Sequence, residues 1–89
     1  MYKLKVSVTS MLGECPNHEI GDYFIVENDV LHVPEGKKLC IWSLSALLPF
    51  LSGAQRKHDE ESDWLSNVKF IECPDPEVKL VWEVEKIDT

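Results

Sequence analysis

Positive charge is scarce in this chain. Nine Lys and Arg stand against sixteen Asp and Glu, a formal net charge of -7 over 89 residues. Nucleic-acid binding rests on phosphate neutralisation by Lys and Arg. The basic residues here form no patch: Lys37-Lys38 stands alone, and Arg56-Lys57-His58 runs straight into Asp59-Glu60-Glu61. No nucleic-acid partner is expected. Long apolar runs are also missing. The longest apolar-rich stretch, Leu39 to Leu51, is interrupted by Ser43, Ser45 and Pro49 and is too short to span a bilayer. The opening Met1-Tyr2-Lys3-Leu4-Lys5-Val6 alternates apolar and basic residues, whereas a signal peptide needs a continuous apolar stretch. The expectation is a cytoplasmic protein with no membrane partner.

Glycine is equally sparse. The four glycines are isolated, so there is no phosphate-cradling loop and no Gly-x-Ser-x-Gly elbow. The acidic run Asp59-Glu60-Glu61 with Asp63 lacks EF-hand spacing and its glycine, and reads as a solvated loop. No nucleophile, base and orienting group stand in a recognisable set, which makes a hydrolase or transferase the least favoured class. Cysteine is limited to Cys15, Cys40 and Cys73. An odd count without a secretion signal argues against a disulfide framework.

What is present fits one small folded unit over residues 1–89. Apolar residues make up 44% and charged residues 28%, a globular balance. Tyr2, Leu4, Val6 and Val8 alternate with Lys3, Lys5, Ser7 and Thr9, a strand with one buried face. Two short β-branched and aromatic runs, 23–26 and 30–33, flank Glu27-Asn28-Asp29 and read as a hairpin. Ile41, Leu44, Leu47, Leu48 and Leu51 then recur at spacings of three and four, predicting a helix over residues 40 to about 52 that buries this face. Pro49 conflicts with that helix and implies a kink or a stop. Residues 54–63 read as a polar loop, and Ser62 to Leu65 as a short helical turn. A strand at 68–73, the turn Cys73-Pro74-Asp75-Pro76 and a strand on Val78, Leu80, Trp82 and Val84 follow. Lys3 and Lys5 on the first strand and Glu83 and Glu85 on the last are complementary, which makes these strands candidate neighbours. The expected fold class is α+β. It is a mainly antiparallel sheet of four or five strands with one principal helix packed on one face.

The chemistry-bearing residues are the cysteines. Cys15-Pro16 and Cys73-Pro74 fall in turns at strand ends, where proline fixes the backbone behind the thiol. His18 follows Cys15 by three residues. Cys40 begins the predicted helix, where the helix dipole favours a thiolate. Cys15, His18, Cys40 and Cys73 together would satisfy tetrahedral zinc. The gaps of 25 and 33 residues lack both zinc-knuckle and ferredoxin clustering. Three cysteines would also suit an iron–sulfur cluster with one open iron or a non-cysteine fourth ligand. The competing bland reading makes the thiols small buried hydrophobes. Trp42, Trp64 and Trp82 could line a pocket, but in so small a domain they read more readily as core.

The ordered motifs Tyr2-Lys3-Leu4-Lys5-Val6, Gly13-Glu14-Cys15-Pro16, Gly21-Asp22-Tyr23-Phe24, Leu39-Cys40, Ala46-Leu47-Leu48-Pro49 and Cys73-Pro74-Asp75-Pro76, closed by a Val-Trp-Glu-Val strand, span nearly the whole chain. In this order they resemble a family of short prokaryotic proteins of about ninety residues, associated with anaerobic bacteria and archaea and carrying three recurring cysteines. The resemblance implies that Cys15, Cys40 and Cys73 are that family's cysteines and that His18 lies near its glycine- and histidine-containing turn. It brings no established activity.

Three readings stand side by side. One is a small metal-binding domain holding zinc, or less readily iron, through Cys15, His18, Cys40 and Cys73, with the three sulfurs within about 4 Å of one another. Cys40, with His18 or His58 as a base, would instead lead a thiol redox or iron-dependent electron-transfer protein. The third is a protein-interaction module with buried structural cysteines that pairs with a second copy or a partner through an edge strand.

Overall fold

The computed structural model describes residues 2–55 and 68–88. Five strands and one helix follow in the order β1 (Lys3–Ser10), β2 (Tyr23–Glu27), β3 (Val30–His32), α1 (Ile41–Gln55), β4 (Phe70–Glu72) and β5 (Val81–Asp88). The strands form one antiparallel sheet in the order β3-β2-β1-β5-β4. This is the expected α+β architecture, with the first and last strands side by side at the centre.

Alternation decides which face is buried. Leu4, Val6 and Val8 of β1, Phe24 and Val26 of β2, Ile71 of β4, and Trp82 and Val84 of β5 are buried, and Leu47, Leu51 and Ala54 of α1 complete the core. On the other face Lys5 lies directly opposite Glu85 and Ser7 opposite Glu83. The lysines also engage β2: Lys3 Nζ is 3.3 Å from Glu27 Oε2, and Lys5 Nζ sits 5.0 Å from the centre of the Tyr23 ring. The two positive side chains thus lie in a gutter of acidic and aromatic groups, each exposed contact contributing about 0.2–1 kcal/mol.

The hairpin turns on Asn28 and Asp29, both with positive φ (50° and 66°), the backbone that a tight two-residue connection requires.

Helix α1 departs from the sequence expectation in three ways. It passes through Pro49 without a stop and continues to Gln55, so Gly53 and Ala54 are helical and buried. Pro49 is tolerated because the carbonyl it leaves without an N–H partner belongs to Ser45, and both residues face water. The buried stripe is Ser43, Leu47, Leu51 and Ala54, while Ile41 and Leu48, expected inside, are exposed. The helix is apolar nearly all round, so its own pattern fixes its rotation poorly; contacts at its two ends fix it instead. At the C-terminal end Gln55, 2% exposed, donates from Nε2 to Asp29 Oδ1 (3.1 Å) and accepts at Oε1 from the Asp29 N–H (3.0 Å). Its carbonyl accepts from the Tyr2 N–H (2.7 Å). The polar loop and short helical turn expected downstream, with His58 and Trp64, lie outside the described residues beyond Gln55.

Replacing Gln55 by alanine removes both side-chain bonds and leaves the hairpin tip unmatched. The expected cost is about 1–3 kcal/mol in urea unfolding. A Gln55→Ala protein as stable as the parent would show that the clamp does not hold the helix.

Candidate functional site

The three cysteines come from three loops, and short backbone bonds bring those loops to one end of the sheet. After β1 the Leu12 and Gly13 N–H groups both donate to the Val78 carbonyl, at 2.8 and 3.2 Å. A Cβ placed on Gly13 would lie 2.9 Å from the Glu77 carbonyl oxygen, so only glycine lets the Cys15 segment lie this close to the segment after Cys73.

That second segment is a single capped turn. Asp75 Oδ1 accepts from the N–H groups of Glu77 (2.9 Å) and Val78 (3.4 Å), with Pro76 at the first position of the turn. Lys79 closes it, donating its N–H to the Asp75 carbonyl (3.1 Å) from a left-handed φ of 47°. The Cys73 N–H donates to the Leu80 carbonyl (2.8 Å) and seals the loop. Val78 and Leu80, expected within the last strand, are buried by this turn, and the strand itself begins at Val81.

Cys40 occupies the position just before α1. Its carbonyl accepts the Leu44 N–H at 3.0 Å, the first bond of the helix, and its own N–H donates to His18 Nε2 at 3.0 Å. His18 is 5% exposed, with its ring edge-on to Trp82 at 5.0 Å between centres. Because Nε2 accepts, the ring proton of neutral His18 belongs on Nδ1, which faces Asp22 Oδ2 at 3.4 Å. Both ring nitrogens are therefore engaged. His18 joins the cysteine cluster as the residue that positions Cys40, and its lone pair is already committed to a backbone N–H. The four-ligand set of Cys15, His18, Cys40 and Cys73 would require this bond to break.

Asp22 anchors the far side. Burial disfavours its charge, but the Glu19 N–H (3.1 Å), the Lys37 ammonium (3.3 Å) and the His18 ring outweigh that and hold its carboxyl below the ordinary 3.8. Backbone bonds from the Val8 N–H to the Asp22 carbonyl and from the Gly21 N–H to the Val8 carbonyl fasten the same loop to β1.

Cys15, Cys40 and Cys73 line one pocket of about 450 Å³. All three are free and half-buried. Pro16 and Pro74 stand beside their cysteines in its wall, Val78 and Leu80 supply apolar surface, and Trp42, 67% exposed, borders it. The first turn of α1 opens into the pocket and carries no acidic residue. Ser43 also lines it and is 1% exposed. Among the described residues no three His, Cys, Asp or Glu side chains are gathered tightly enough to hold a bare ion.

The chain matches no family model, no curated protein and no solved structure. The site is therefore read from its own residues.

Sequence reasoning named the thiols and His18 but missed Asp22 and Ser43, and it preferred a core position for Trp42, which is exposed at the pocket's edge. Asp22 carried a weak signal, four residues after His18. Ser43 carried none, because a serine inside an apolar helix reads as outward-facing.

Gly13→Ala should cost about 1–3 kcal/mol in urea unfolding, since neither strand of backbone at this contact can give way cheaply; unchanged stability would mean the two loops are not locked together. Asp22 predicts a pH dependence. Its folded-state carboxyl titrates below its unfolded value, so its contribution is present above about 3.8 and is lost as pH falls through the lower, folded value. The stability gap between the parent and Asp22→Asn should be full at neutral pH and close below 3.8. A gap that persists undiminished in acid would rule out the charge as its source.

Proposed function

We propose that this protein is a metal-binding domain whose ligands are the thiolates of Cys15, Cys40 and Cys73, with His18 holding Cys40 in place. The observation that carries this reading is the meeting of all three cysteines, from segments 25 and 33 residues apart, at one half-open pocket. Cysteines acting as core filler are ordinarily fully buried and need not meet. Here each is half-buried, and Cys15 and Cys73 pack against the buried core without being part of it. The resemblance to a three-cysteine family points the same way, since its ordered motifs include all three thiols.

Soft thiolate donors select zinc or iron over magnesium and calcium. The helix N-terminus adds an electrostatic bias toward negative charge in the pocket. The bonds at Gly13, Asp75 and His18 supply the outer support that keeps ligands in place. Loss of such support ordinarily weakens a metal about 10–100-fold without removing a donor.

The test is elemental analysis of the full chain purified without oxygen, with metal affinity measured by chelator competition. Serine at position 15, 40 or 73 should abolish stoichiometric metal. His18→Ala should keep the stoichiometry and lose about 10–100-fold in affinity. A metal-free protein whose thiols react with alkylating agents only after unfolding would overturn the reading.

A further inference from the structure

We propose that the pocket takes a four-iron, four-sulfide cluster bound by Cys15, Cys40 and Cys73, with the fourth iron left open to an exogenous ligand. This rests on the reading of the three thiols as metal ligands and goes further by naming the centre.

Size is the first argument. A single zinc ion with Zn–S bonds of about 2.3 Å draws its sulfurs onto one small sphere and leaves no cavity between them. The cysteines here are among the residues that border a half-open space of about 450 Å³, within the range of about 300–1,000 Å³ typical of pockets that hold whole small ligands, and no three ligand side chains among the described residues are gathered tightly enough for a bare ion. A polynuclear centre bridges thiols that a bare ion would have to pull together.

Donor count is the second. The fourth position of a mononuclear site would fall to His18 or Asp75. His18 Nε2 already accepts the Cys40 N–H, and Asp75 spends Oδ1 on two backbone N–H groups of its own turn, which fixes its carboxylate and leaves only Oδ2 as a candidate donor. A cubane cluster with three protein thiolates needs no fourth protein donor, and the uncommitted iron then faces the remaining pocket.

The wall chemistry is the third. Three thiolates on a cluster core of charge about +2 leave a net negative centre. Cys40, Trp42 and the buried Ser43 bring the start of α1, with its helix dipole, to the pocket wall. A positive dipole end and a hydroxyl beside a cluster stabilise its more negative, reduced state and raise its potential.

The experiment is anaerobic reconstitution of the full chain with sulfide and equal amounts of ferrous and ferric iron. Two irons of each valence and four sulfides make the +2 core without an added oxidant. A parallel sample receives zinc alone. The expected result is about four irons and four sulfides per chain with visible absorption. Alkylation of all three thiols should be blocked in the loaded protein and restored by chelation, a readout that does not depend on cysteine variants folding. A small exogenous thiol should change the electron paramagnetic resonance spectrum of the reduced cluster. Ser43→Ala should keep the iron content and lower the reduction potential.

Uptake of one zinc with no iron–sulfide uptake would overturn the cluster and leave the metal-binding reading standing. Failure to bind either would overturn both. A cluster with histidine nitrogen hyperfine coupling, or a spectrum unmoved by thiol, would overturn the open iron.

Discussion

The bond from the Cys40 N–H to His18 Nε2 holds the architecture and the site in one place. It joins the loop after β1 to the start of α1, two parts of the chain otherwise linked through the hairpin. It is made inside the protein, with the imidazole ring against Trp82 and its far nitrogen facing Asp22. A buried imidazole left without partners would cost about 1–3 kcal/mol. The cheapest arrangement is therefore the one in which Asp22, His18 and the helix start are all in register. The same register sets the rotation of α1 at its N-terminal end, which puts Ser43 inward and Ile41 and Trp42 outward. Gln55 does the equivalent at the other end. Helix position is thus decided by two polar clamps, and the Leu47, Leu51 and Ala54 face only has to fit what they dictate.

That division explains what could be read from the residues alone. Strands β1 and β5 were legible because period-two alternation states directly which side chains are buried, and Leu4, Val6, Val8, Trp82 and Val84 all comply. The neighbouring of β1 and β5 was legible from complementary charge, and Lys5 does stand opposite Glu85. The hairpin was legible because Asn28-Asp29 accepts positive φ. The helix face was not. With apolar residues at positions 41, 42, 44, 47, 48, 50 and 51, several stripes satisfy the helical period, and only long-range partners choose among them. The end of the helix was misplaced for a related reason: Pro49 and Gly53 are strong local stop signals, and the tertiary clamp on Gln55 overrides both.

The site divides along the same line. The cysteines could be singled out by type, since the chain has only three. Their meeting depends on non-local backbone bonds, chiefly those of Leu12 and Gly13 to Val78, which no spacing rule encodes. The structural role of His18 was not legible, because a histidine three residues from a cysteine reads as a candidate ligand in one dimension. In three dimensions its acceptor nitrogen is occupied, and that occupation is what puts Cys40 beside the other two thiols.

Trp82 shows how little slack a core of this size has. Its ring meets His18 on one side and Phe24 on another, at 5.0 and 5.5 Å between centres, so it touches both the site's support and the middle of the sheet. Its Nε1 is buried and finds no acceptor among the described residues. An indole N–H in that state ordinarily costs about 1–3 kcal/mol, yet burying a ring of this area returns more than that. Shape has outweighed polarity at this position. The ring is the one side chain large enough to fill the space under His18 while completing the β5 face of the core. A smaller apolar residue would remove the orphaned N–H and leave a cavity beneath the imidazole. The histidine would then lose the wall that holds its Nε2 toward Cys40, so the defect at Trp82 is inseparable from the order of the thiol pocket.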